Sequence, residues 1–262
     1  MKKFQLRQVI DSSKRHAPLL IAHRGARREA PENTIPAFER AIELGADGIE
    51  FDVVLTKDRV PLVTHNDDLS ILTHFDGFAH KTPFSMIRSL DFGSHFRPSF
   101  SNVTVPTLTE VLELLQPHEL SIICELKSQP GLHSHIAELV GGIVSDFRFR
   151  KSITISSASL RILFHLKRLY PNIPRALIIK NNRSFSFFRR GLFAKFLKVS
   201  EIHPCLPAAS RRMVSKAHKN GWWVHAWTVN DRAGIDKCIS LGVEGIITDD
   251  IAMAQAYIQS KV

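Results

Sequence analysis

Glu50 and Asp52 stand two residues apart in the apolar run Gly48-Ile49-Glu50-Phe51-Asp52-Val53-Val54-Leu55. In a strand, residues two apart share a face, so the two carboxylates project side by side. Like charges this close repel unless a proton or a cation stands between them. An acidic pair of this kind reads as half of a metal site. A half-buried strand with solvated acids has the same pattern. Beyond the run, Lys57-Asp58-Arg59 makes a polar break and Val60-Pro61-Leu62-Val63-Thr64-His65 follows, which is the pattern of a hairpin. Asp52 lies about as far before that turn as His65 lies after it, so the return limb brings His65 back to the level of the carboxylates.

Two further clusters carry chemistry. Ile123-Cys124-Glu125-Leu126-Lys127 ends another apolar run with an acid and a base on one face. Buried Glu and Lys are rare unless paired. One reading is an internal salt bridge; the other makes Glu125 a third metal carboxylate and Lys127 a phosphate contact. Three carboxylates without a cysteine suit a hard divalent cation, Mg²⁺ or Ca²⁺. His23-Arg24-Gly25 closes the first apolar run. The Arg24 guanidinium is a planar fork suited to phosphate. Gly25 lets backbone approach a ligand closely, and His23 is of the type that moves protons near neutral pH.

Something must bring these clusters together. Strands are predicted at Leu19–His23, Ile49–Leu55, Ser121–Leu126, Thr154–Ser156, Ala176–Ile179, Glu201–Pro204, Trp223–Val229 and Gly245–Asp249. Helical patterns follow most of them, at Thr34–Leu44, Leu108–Leu115, His133–Phe147, Leu160–Leu169, Pro207–Asn220, Arg232–Leu241 and Ile251–Gln259. Such alternation implies a parallel sheet with helical crossovers, and eight units in this length match a (β/α)₈ TIM barrel. A doubly wound sheet would carry a Gly-rich loop after the first strand, where this chain has His23-Arg24-Gly25-Ala26. A barrel places its chemistry at the C-terminal strand ends. Polar residues gather there: His23, Glu50, Asp52, Glu125, Lys127, Ser156, His203, Trp227, Asn230 and Asp249. Residues 66–106 break the rhythm with no long pattern of either kind, and a loop of that length is usually functional. The expected organisation is one α/β barrel domain over residues 1–262, with a small inserted subdomain at 66–106 after the hairpin of the second strand.

Composition bounds the rest. The net charge of +10 favours anionic partners, and no recognition helix, zinc finger or RNA-binding signature points to nucleic acid. Cys124, Cys205 and Cys238 are far apart and form no CxxC pair, which speaks against zinc and against a disulfide framework. The basic start (Lys2, Lys3, Arg7) is followed by polar residues, so no secretory signal is expected. No run of about 18 apolar residues is present. A reducing, cytoplasmic setting fits.

The ordered series His23-Arg24-Gly25, Pro31-Glu32-Asn33-Thr34, Glu50-Phe51-Asp52, His65, Glu125-Leu126-Lys127 and Trp227-Thr228-Val229-Asn230 resembles the motifs of the glycerophosphodiester phosphodiesterase family, from about His23 to about Asp250. The resemblance implies a metal-dependent (β/α)₈ barrel hydrolase. It would convert glycerophosphodiesters to glycerol 3-phosphate and an alcohol. It implies His23 and His65 as the acid–base pair, Glu50, Asp52 and Glu125 as ligands of a divalent cation, Arg24 and Lys127 as phosphate contacts, and Trp227 on the glycerol side. Three positions depart from the family pattern: Asn66 where Asp is common, Ser157 where Phe often follows Ser156, and Ile251 where Pro is common.

Lys180 to Lys198 holds six positive charges, five phenylalanines and no acid. Such a stretch could lie at an anionic membrane interface, but the barrel needs a helix at this point, and an ordinary barrel helix with its phenylalanines inward is the favoured reading. Alternative functions are therefore hydrolysis of lysophospholipids at a membrane, and a non-catalytic barrel that binds phosphorylated ligands.

Overall fold

The computed structural model describes residues 17–180 and 187–261, with the side chains of 187–191 left outside that description. The basic residues Lys2, Lys3 and Arg7 lie outside the described residues, as does 181–186 of the basic aromatic stretch.

Nine strands alternate with nine helices among the described residues. They are β1 Leu19–His23, α1 Ile35–Glu43, β2 Gly48–Leu55, β3 Pro61–Val63, α2 Phe84–Ile87, α3 Leu108–Leu115, β4 Ser121–Leu126, α4 His133–Asp146, β5 Ser152–Ser157, α5 Leu160–Leu169, β6 Arg175–Ile179, α6 Phe187–Phe196, β7 Glu201–Pro204, α7 Arg211–Lys219, β8 Trp223–Ala226, α8 Arg232–Leu241, β9 Gly245–Thr248 and α9 Ile251–Gln259. The strands run in the order β1-β9-β8-β7-β6-β5-β4-β2-β3, and β1 also pairs with β2. That last pairing closes eight parallel strands into a barrel. Only β3 is antiparallel, hanging on β2 with Val53 opposite Val63.

Alternation along β2 shows how the barrel sorts its side chains. Ile49, Phe51, Val53 and Leu55 belong to the large core between strands and helices. Glu50 and Asp52 face the other way, into the barrel, and are nonetheless buried. A one-residue slip would exchange these sets, so burial of the apolar set fixes the register. A much smaller apolar floor of Leu19, Ile21, Ile123 and Ile247 fills part of the interior beside Trp227.

Helix ends follow local chemistry. Thr107 and Glu110 form a reciprocal capping box at α3. Asp231 caps α8, and Gly242 ends it in the left-handed conformation. The helix expected from Pro207 begins at Arg211 instead, because Ser210 supplies its N-cap while Leu206–Ala208 form a short 3₁₀ turn. The strand expected to reach Val229 stops at Ala226.

Residues 66–106 carry only short turns and α2. Leu69, Ala79, Ile87, Phe92 and Val105 pack with Val54 and Leu62 of the hairpin into a cluster separate from the main core.

Candidate active site

The ends of β1, β2, β3, β4 and β8 build the site. In-register pairing sets Glu50 beside His23 and Glu125 beside Asp52. The hairpin register, continued two residues past Val63, brings His65 level with Phe51, between the heights of Glu50 and Asp52. Glu50, Asp52 and Glu125 each offer a carboxylate oxygen, and these atoms lie within 4.8 Å of one another. His23, Arg24, His65, Lys127 and Trp227 line the same cavity of about 70 Å³, together with Glu50 and Glu125. The structure thus brings seven of the eight expected site residues to one cavity, with Asp52 buried directly beneath it.

The cations sit among the acids. Lys127 Nζ lies 2.7 Å from Asp52 Oδ1 and 2.9 Å from Glu125 Oε1. The internal salt bridge expected as one reading of Glu125 and Lys127 is therefore present, inside the carboxylate cluster. Arg24 places Nε 3.2 Å from Asp52 Oδ2 and donates through a terminal nitrogen to Glu32 at 2.8 Å. Burial pushes the Asp52 carboxyl up, but Lys127 and Arg24 overcome it and hold Asp52 well below the usual carboxylate range. Glu50 goes the opposite way: burial and the charges of Asp52 and Glu125 raise it well above that range. Burial raises Glu125 too, against the pull of Lys127. The cluster carries more negative charge than its own cations quiet. Three crowded oxygen donors of this kind fit a hard divalent cation.

Each histidine is oriented by a neighbour. His23 Nδ1 donates to Asp249 Oδ1 at 2.6 Å, which turns Nε2 toward Glu50, 4.0 Å away. Asp249 is in turn held by Asn230, whose Nδ2 donates to Oδ2 at 2.6 Å. Burial pushes the Asp249 carboxyl up, but His23, the Arg27 guanidinium 3.6 Å away and Asn230 outweigh it and leave it at about 2. His65 Nδ1 donates to Asn66 Oδ1 at 2.8 Å. Burial lowers His65 to about 4, although Asp52 opposes that shift, so its imidazole is neutral near pH 7.

The turn after β1 is a strained piece of backbone. Arg24 has φ 60° and Gly25 has φ 80°. A Cβ on Gly25 would meet Ala37 backbone atoms at 2.7 Å, so only glycine fits. Arg24, not a glycine, is held in the left-handed region by its backbone bond to Glu50 O at 2.8 Å and by its ion pairs. Strain of this sort gathers at functional sites.

Residue patterns alone assigned no role to Asp249, Asn33 or Ser156. Asn33 Nδ2 donates to Asp52 Oδ2 at 3.0 Å, helping to hold the carboxylate. Ser156 lines the cavity with its side chain 1% exposed, and its Oγ has no hydrogen-bond partner among the described residues. The signal for Asp249 and Ser156 was a polar residue at a strand end, which does not say which neighbour it meets; Asn33 stands in the loop just before α1. Deeper in the barrel, Glu201 accepts from His203 at 3.0 Å and from Thr154 at 2.8 Å. The carbonyl of His203 receives Trp227 Nε1 at 2.8 Å, which fixes the indole against the cavity wall. A second cleft of about 510 Å³ meets the first at Arg24 and His65, and is walled by Arg27, Asn66, Leu72 and Phe96.

Comparison with known proteins follows the same lines. The glycerophosphoryl diester phosphodiesterase family matches residues 23–253. A glycerophosphodiester phosphodiesterase of Caldanaerobacter subterraneus subsp. tengcongensis is 35% identical over 237 residues, covering 88% of this chain and 94% of that protein. One from Bacillus altitudinis is 32% identical over 233 residues, covering 88% and 94%. Among solved structures, an Oleispira antarctica phosphodiesterase in complex with the product sn-glycerol-3-phosphate superposes with a TM-score of 0.86 at 28% identity, covering 93% of this chain and 97% of that one.

Proposed function

The chain belongs to the glycerophosphoryl diester phosphodiesterase family and is an enzyme that hydrolyses glycerophosphodiesters to glycerol 3-phosphate and an alcohol; from that premise we propose how its own residues do so. Glu50, Asp52 and Glu125 hold one divalent cation, Mg²⁺ or Ca²⁺. When bound, it supplies positive charge to the phosphoryl oxygens as charge gathers on them. Arg24 and Lys127 serve the same charge from the protein side. Lys127, 2.7 Å from Asp52 and 2.9 Å from Glu125, lines the cavity where it would meet phosphate. Trp227 walls the glycerol side. The leaving alcohol occupies the cleft that opens toward Leu72 and Phe96, where residues 66–106 form an inserted subdomain of the single barrel domain.

His23 and His65 move the protons. His65, neutral near pH 7, accepts the proton of the attacking hydroxyl. His23, with Nδ1 tied to Asp249 and Nε2 turned to the cavity, donates to the leaving alkoxide. The observation that carries this reading is the convergence of three carboxylate oxygens within 4.8 Å beside both imidazoles. A non-catalytic phosphate binder would not need either oriented histidine.

Substrate and setting follow. The partner is a small glycerophosphodiester, with no role for nucleic acid. Among the described residues no helix is long and apolar enough to cross a membrane. Cys124, Cys205 and Cys238 are all free, which suits the reducing cytoplasm in which we place the enzyme. Release of glycerol 3-phosphate from glycerophosphocholine is the test. Chelation with EDTA abolishes turnover and Mg²⁺ or Ca²⁺ restores it. Full activity after thorough chelation removes the cation from the reading. Lysophosphatidylcholine assayed alongside separates the lysophospholipid alternative.

A further inference from the structure

Five of the nine large apolar side chains exposed among the described residues lie on two neighbouring helices: Phe164 and Leu169 on α5, and Leu192, Phe193 and Phe196 on α6. Leu192 is 60% exposed and Phe196 56%. Two of these rings are held against each other. The rings of Phe164 and Phe196 stack with centroids 6.3 Å apart and planes 6° from parallel. Lys167 Nζ donates to the Phe196 carbonyl at 2.7 Å and lies 4.0 Å above its ring, tying α5 to α6. Clustered apolar exposure of this kind marks an interaction surface rather than scattered surface residues.

Charge says what the surface meets. Neither 160–170 nor 187–200 contains an acid. Arg161, Arg168, Lys195 and Lys198 are exposed around the rings. A second copy of this chain would bring an equally basic rim against this one, and the two would repel. An apolar patch rimmed with Lys and Arg complements a surface of anionic headgroups over acyl chains.

We propose that the α5–α6 face docks on an anionic lipid bilayer, with Leu192, Phe193 and Phe196 at the headgroup–acyl boundary and the basic rim on lipid phosphates. Barrel helices run back from the catalytic mouth toward the opposite end. Phe196, the last residue of α6, therefore sits toward the end away from the mouth. A docked protein keeps its mouth open to water. The bilayer holds the enzyme where diesters are made by deacylation of lipids, and does not feed lipid into the cavity.

Co-sedimentation reads the docking without any need for catalysis. The probes are vesicles of phosphatidylcholine and phosphatidylglycerol in equal parts, and vesicles of phosphatidylcholine alone, at low salt. The wild-type protein pellets with the first and not with the second. The Phe193→Ser, Phe196→Ser pair weakens that association by about tenfold or more through lost apolar burial. It leaves glycerophosphocholine turnover unchanged, which shows the fold intact. The Arg168→Glu, Lys195→Glu pair weakens it as well. Wild-type protein that stays in the supernatant with anionic vesicles overturns the proposal. So does a serine pair that binds them as tightly as wild type. A dimer that forms without vesicles and disappears in the serine pair reassigns the face to protein contact and equally overturns it.

Discussion

Asp249→Asn isolates the orientation of His23 from its presence. Asn230 is fixed in its sense, because its Oδ1 accepts the backbone N–H of Asp249 at 2.9 Å. Its Nδ2 must therefore face the side chain at 249, which it now meets at 2.6 Å. An asparagine at 249 satisfies Asn230 only by presenting its own oxygen there. Its amide N–H₂ then faces His23 Nδ1, at the spot where a carboxylate now accepts at 2.6 Å. The imidazole must turn Nδ1 into an acceptor and move its proton to Nε2, the nitrogen that faces the cavity. The opposite flip keeps the tautomer but sets two N–H₂ groups against each other. Loss of a hydrogen bond to a charged partner weighs about 1.5–3 kcal/mol, roughly 10- to 150-fold in rate. With Nδ1 forced to accept, the ring cannot carry protons on both nitrogens, as donation from Nε2 with Nδ1 still bonded requires, so proton transfer suffers as well, worth about 10²–10⁴-fold. The expected fall in kcat is therefore about 10²–10⁴-fold. Glycerol 3-phosphate release from glycerophosphocholine measures it, with circular dichroism to show an unchanged fold. The pH–rate profile should change shape too, which a purely structural role would not produce. A variant within about threefold of wild type at every pH from about 6 to about 9 refutes the assigned role of Asp249.

His23→Ala and His65→Ala should each reduce turnover by at least about 10²-fold while thermal unfolding stays close to wild type; near wild-type turnover in either removes that residue from the proton-transfer pair. Glu50 and Glu125 are raised by burial, so protons compete with the cation for them. Cation affinity should then fall as pH drops from about 8 to about 5, with protons released on binding, as calorimetry in two buffers reads; an affinity flat across that range contradicts the crowded cluster. The stability consequence has the same sign: a carboxyl raised in the folded state favours folding while protonated, and that contribution is lost as pH rises through its folded value. The gain in melting temperature on adding cation should be larger at the higher pH. Gly25→Ala should destabilise by about 1–3 kcal/mol, from the positive φ and the contact with Ala37, measured by denaturant unfolding; a neutral substitution would mean the turn after β1 moves freely.

Much of the molecule was legible from pattern. Leu108–Leu115, Leu160–Leu169 and Arg232–Leu241 match α3, α5 and α8 at both ends, because amphipathic spacing and side-chain caps are local. Errors fall where a distant contact decides. The β8 strand ends early at Ala226, where Trp227 turns its indole down to the His203 carbonyl. Pro207 reads as a helix start, yet Leu206–Ala208 close a 3₁₀ turn before Ser210 caps α7. The eight expected site residues were recognisable as chemistry-bearing types at strand ends, and several by their ordered likeness to a family.

What the amino-acid order determines by itself is which face each residue takes. Period-two alternation points Glu50 and Asp52 away from Ile49 and Phe51 whatever surrounds them. Barrel closure decides the rest. Pairing β1 with both β2 and β9 brings Asp249 to His23 across 226 positions of sequence. Likewise, only the packed interior makes Asp52 an obligate anion and Glu50 a reluctant one, though they sit two residues apart on one strand. Charge state depends on burial and on which cation lies nearest, and both are properties of the closed barrel rather than of the strand.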